Sequence, residues 1–122
     1  MISYLIIALM SNATVYGFGE SNCGDPGKAR PCSFGAITAS GEVFDPTEIS
    51  AAVPAPKNLR IRKTHIYVKN HRGFCIKLKI NDKKHWRYIG NSGLDLTPAA
   101  VEAITGKPAT KYWSGKVELC KN

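Results

Sequence analysis

Apolar and polar positions alternate most cleanly from Phe74 to Ile80. Phe74, Ile76, Leu78 and Ile80 share one phase, and Cys75, Lys77 and Lys79 the other. Period two with one apolar face predicts a half-buried strand. The preceding Asn70-His71-Arg72-Gly73 predicts a hairpin turn into it. From Leu59 to Val68 the phase changes: Leu59 and Ile61 fall on one side, Ile66 and Val68 on the other. A bulge or turn near Lys63–His65 accounts for the change. Further strands are expected at Thr14–Phe18, at Ile49–Val53 (ended by Pro54-Ala55-Pro56) and at Lys116–Cys120. Gly19–Ser33, rich in Gly and Pro, and the polar stretch Asn81–Ser92 are expected as loops. The residues between Phe34 and Phe44 are small and suit tight backbone.

One segment changes period. Thr97 is a good N-cap, Pro98 fits the first helical position, Ala99–Thr105 continue and Gly106 stops the turn. Val101 and Ile104, three apart, mark the buried side of this helix. Many short strands with one helix predict a small, mainly β barrel.

At 122 residues, 43% of them apolar, the chain suits one domain with one core. Lys and Arg number 17 against 9 Asp and Glu, a net charge of +8. Such a surface suits polyanions. The uncharged run Ile2–Met10 is too short to span a bilayer as a helix, so no stable membrane insertion is expected. Residues 1–13 read as a signal peptide cleaved after Ala13, with 14–122 as the mature domain; the alternatives are a buried first strand or a truncated start.

Four cysteines, Cys23, Cys32, Cys75 and Cys120, read as two disulfides of an exported protein, secreted or held in the periplasm or envelope. Four free thiols in a reducing compartment are the alternative. No two cysteines have zinc spacing, and His65, His71 and His85 lack metal spacing, so no metal and no cofactor are expected. Strand phase puts Cys75 on the polar face with Lys77 and Lys79, and Cys120 on that of Lys116 and Glu118. A Cys75–Cys120 bridge across that face is expected, and Cys23 and Cys32 can close on each other within their loop.

Several segments in order carry a resemblance: Ala13-Thr14-Val15-Tyr16-Gly17, Thr38-Ala39-Ser40-Gly41-Glu42-Val43-Phe44-Asp45, Ser50-Ala51-Ala52, Ile80-Asn81-Asp82 and Leu94-Asp95-Leu96-Thr97. Together they resemble the rare lipoprotein A family, relatives of the expansins and barwin-like proteins. The resemblance implies a six-stranded double-psi β-barrel with one or two short helices. It also implies a wall-directed protein whose active relatives are lytic transglycosylases. These cleave the peptidoglycan strand and leave a 1,6-anhydro-muramic end. Asp82 matches the family's catalytic acid, and Asp95 matches the acid that is functional in expansin-like relatives. Lys83, Lys84 and His85 stand where the family has Arg-Gly-Pro, and Val53 stands at the family's histidine position.

Protonating a glycosidic oxygen needs a carboxylic acid, so two Asp in different environments suit the chemistry. Tyr16, Thr38, Ser40, Trp86 and Tyr88 are the candidate substrate-binding side chains. The expected partner is peptidoglycan or a related wall polysaccharide, with no nucleic acid, and the protein is expected to act as a monomer. A non-catalytic, expansin-like glycan-binding module is the other function the residues allow.

Overall fold

The computed structural model describes residues 9–17, 37–55, 61–85 and 93–120. Six strands close into one barrel in the order β1-β5-β2-β4-β3-β6. They are β1 (Leu9–Val15), β2 (Ser50–Ala55), β3 (Thr64–Lys69), β4 (Cys75–His85), β5 (Leu94–Leu96) and β6 (Ser114–Leu119). One helix, α1 (Pro98–Thr105), is found among the described residues. The pairs β1–β5 and β2–β4 are parallel and the other neighbours antiparallel. This mixed, closed barrel is compatible with the double-psi arrangement expected.

The alternating apolar positions fill the interior. Val68, Leu78 and Leu96 are fully buried in one cluster with Ala13, Ala51, Ile80, Leu94 and Val117. Val101 and Ile104 of α1 join the same cluster, so the helix side read from the sequence is the side it buries. Thr97 caps α1 and Gly106, at φ 76°, closes it by donating to the Glu102 carbonyl. The hairpin at Asn70–Gly73 is present: the Asn70 side chain accepts from the backbone of Arg72 and Phe74.

The boundaries differ from the pattern where pairing overrides composition. β2 runs through Pro54 to Ala55 rather than stopping before the proline. The short β5 pairs only with Ala51 and Ala52, so Pro54 needs no donor on that side of β2. β4 continues through Asn81–His85, expected as loop, because Ala52–Ala55 of β2 supply its partners. β5 has three residues, too few for a period to be seen. β3 begins at Thr64, after the phase change.

Cys75 and Cys120 form a disulfide, as expected from strand phase. It joins the start of β4 to the residue just past β6, the two strands that flank β3. Cys23 and Cys32 lie outside the described residues. The cleavage point read after Ala13 falls inside β1, whose Leu9–Thr14 pair with β6. A chain starting at Thr14 would keep only the Thr14–Ser114 position of that pairing. Among the described residues no helix is long and apolar enough to cross a membrane.

Candidate functional site

Strict alternation along β4 would send Asp82 inward with Leu78 and Ile80. A β-bulge prevents it. The register passes from Ala51 opposite Ile80 directly to Ala52 opposite Asp82, leaving Asn81 as the extra residue. Ile80 therefore stays in the core while Asp82 turns to the other face, the usual service of a bulge beside a site. Ala52 is also opposite Asp95 on β5, and Asp95 is opposite Thr14 on β1. Asp82, Ala52, Asp95 and Thr14 thus form one row across four strands on the outside of the barrel. Tyr16 lies two residues beyond Thr14, past the end of β1, and packs with Ala52 and Phe44 in a second small cluster.

Both carboxylates are buried, Asp82 at 7% exposure and Asp95 at 2%. Asp82 Oδ1 accepts from the backbone N–H of Ala39 at 2.9 Å and of Lys83 at 2.9 Å. Burial pushes the Asp82 carboxyl above its ordinary value; these two donors offset part of the rise and the nearby Asp95 charge adds to it. Asp95 Oδ1 accepts from the Thr14 hydroxyl at 2.8 Å.

The Tyr16 hydroxyl is buried and makes no hydrogen bond of acceptable geometry, although it approaches Asp82. Burial first, then the charges of Asp82 and Asp95, hold its pKa far above the ordinary phenol value. It stays a neutral donor facing two carboxyl groups. The Phe44 ring packs on it, centroids 5.2 Å apart. Gly17, at φ 103°, makes this packing possible: a Cβ there would meet Phe44 Cζ at 3.0 Å and Pro98 Cδ at 3.2 Å.

The segment from Ile37 to Ile49 covers the bulge. Ser40 N–H donates to the Asn81 carbonyl at 3.0 Å, next to the Ala39 bond to Asp82. The Thr38 and Ser40 hydroxyls lie 3.0 Å apart, and Thr38 Oγ1 also accepts from Glu42 N–H at 3.2 Å. Charge clamps the same segment to β4. Lys79 Nζ donates to Glu48 at 2.7 Å and Glu42 at 3.2 Å, while the Asn81 amide donates to Glu42 at 3.1 Å. Hydrogen bonding to Glu48 raises the Lys79 pKa; for Glu42, burial works upward but the bonds from Asn81 and Lys79 outweigh it and lower the value.

Of the residues singled out from the sequence, Asp82, Asp95, Tyr16, Thr38 and Ser40 come together here. Trp86 and Tyr88 lie outside the described residues. Val53, at the family's histidine position, packs against the barrel core, whereas Ala52 faces the acids' side. Thr14, the Ala39 N–H, Ala52 and Asn81 were not anticipated. One signal was available: an Asp in phase with Leu78 and Ile80 would be a lone charge in an apolar interior, which itself calls for a bulge. Among the described residues no three His, Cys, Asp or Glu side chains converge as metal ligands. No protein-family model matches the sequence, and no curated protein matches it either.

Proposed function

We propose that this is an exported, peptidoglycan-directed protein similar to the rare lipoprotein A family, and that it cleaves the glycan strand by lytic transglycosylation. The observation that carries the reading is the row holding Asp82 and Asp95 together, one with its proton favoured by burial and the other hydrogen-bonded by Thr14. The Cys75–Cys120 disulfide is compatible with export, since such bonds are rare in the cytosol.

In this reading Asp82, as the carboxylic acid, gives its proton to the glycosidic oxygen as the bond from C1 breaks. Asp95, oriented by the Thr14 hydroxyl, stabilises the positive charge that develops on the ring. The C6 hydroxyl of the same muramic residue then attacks C1 and returns its proton to the Asp82 carboxylate. The products are a free hydroxyl end and a 1,6-anhydro end, with no water consumed and Asp82 reset. Ser40, half-buried, offers its hydroxyl to the sugar, while Thr38 holds that hydroxyl and the buried Tyr16 hydroxyl lies against Asp82. Val53, at the family's histidine position, faces the core, so that position supplies no imidazole to the acids.

The test is mass analysis of purified peptidoglycan after incubation with the protein. Anhydro-muropeptides are expected from wild type and absent with Asp82→Asn. If wild type yields none but still co-sediments with peptidoglycan, the non-catalytic, expansin-like reading replaces this one.

A further inference from the structure

In the closed strand order β3 stands three places from β5, diametrically across the barrel from Asp95. Its outward residues are His65, Tyr67 and Lys69, all exposed. Cross-strand pairing sets Lys77 of β4 directly opposite Tyr67, and the Cys120 N–H donates to the Tyr67 carbonyl from the other side. Tyr67 is 41% exposed, unusual for a large ring in mid-strand. The His65 ring meets it edge-on, centroids 6.1 Å apart at 88°, which restricts how it turns. The disulfide straps the two flanking strands at this point.

Among the described residues the unpaired charge here has one sign. Lys77 is exposed on β4 and Lys116 on the outer side of β6, and neither forms an ion pair with a described residue. Lys69 is paired with Glu118 at 3.1 Å, and Glu118 is the only described acid on the outer faces of β3 and β6. The result is an exposed aromatic ring opposite one lysine, with a second lysine further along the same outer face. A directly opposite pair has Cβ atoms about 5 Å apart. One sugar ring stacked on Tyr67 therefore puts its own acid group within reach of the Lys77 ammonium.

We propose that this outer face of β3, β4 and β6 binds a linear anionic polysaccharide, separately from the Asp82–Asp95 site. A ring stacks on Tyr67, and the charges along the chain are met by Lys77 and Lys116. The ring-plus-lysine chemistry also suits single-stranded nucleic acid. The choice of a glycan rests on the exported, glycan-directed reading above, and the binding itself does not depend on catalysis.

Binding is measured with polygalacturonate and with alginate, using neutral dextran and oligo(dT) as comparisons. The intact protein is used, as wild type and as Tyr67→Ala, Lys77→Glu and Lys116→Glu. These side chains are exposed and outside the acid site, so peptidoglycan turnover by the variants should match wild type. Wild type should bind at least one of the two anionic glycans, and not dextran. Each variant should weaken that binding by about tenfold, the worth of one stacking or ionic contact. The two lysine variants should also flatten its fall with salt. Two results overturn the proposal: anionic-glycan binding that is absent or indifferent to all three substitutions, or oligo(dT) bound more tightly than either glycan through the same residues. Glycan binding retained in an Asp82→Asn protein that releases no anhydro product would separate this face from the catalytic reading.

Discussion

Asp82 is a residue whose environment and function pull against stability. Its folded-state carboxyl is raised by burial, so the proton is bound more tightly folded than unfolded. The stability it contributes is present below the ordinary value of 3.8 and is lost as pH rises through the folded value. Wherever Asp82 is ionised, its buried charge is a cost. Asp82→Asn removes that charge, while the amide oxygen still accepts from Ala39 and Lys83. The variant should melt above wild type at neutral pH, with the gap closing as pH falls toward 4, and its turnover should drop about a hundredfold or more. Thermal melts across pH decide this; a lower melting point for the variant at neutral pH would contradict it. Gly17 works in the opposite sense. Gly17→Ala forces a side chain to φ 103° and into Phe44. A cost of about 2 kcal/mol is expected in denaturant titration.

At the scale of elements, α1 is fastened through its cap. Thr97 Oγ1 accepts from Ala100 N–H at 3.1 Å and donates to the Glu48 carbonyl at 2.6 Å, and Thr97 N–H donates to the Ser50 carbonyl at 3.0 Å. One hydroxyl ties the helix start to the segment that covers the bulge. Thr97→Ala removes these two side-chain bonds and a third, accepted from Ser50 N–H at 3.4 Å, and leaves buried groups unpartnered, a cost of about 2 kcal/mol. Thr97→Ser keeps the oxygen and should recover most of it. Chemical denaturation of the two variants side by side measures the difference. The bulge at Asn81 sets the direction of Asp82 and so puts it in one row with Ala52 and Asp95.

Across the whole molecule, closure is long-range and is reinforced by one covalent link. Cys75 and Cys120 are 45 residues apart, and a loop of that length removes chain entropy worth about 4 kcal/mol from the unfolded state. Cys75→Ala with Cys120→Ala should lower stability by up to that amount while leaving the Asp82 row assembled. Unfolding monitored with and without reductant should show wild type, but not the double variant, losing stability on reduction. A double variant as stable as oxidised wild type would mean the link closes an already constrained chain.

The local physics of several segments is complete in the sequence. Alternation from Phe74 to Ile80 sets which side of β4 is buried, and the same phase predicts the Cys75–Cys120 link. Thr97, Pro98 and Gly106 bound α1 by backbone chemistry that needs no partner. The candidate acids, too, are legible as Asp82 and Asp95. What the sequence does not contain is where they point. Asp82 lies in the apolar phase of its own strand, and only pairing with β2, with Asn81 looped out, turns it outward to share a row with Asp95 and Thr14. The three-residue β5 and the passage of β2 through Pro54 are likewise decided by neighbours, because a strand's partners lie far along the chain. Periodicity records which side of a segment avoids water; closure of the barrel decides which segments meet.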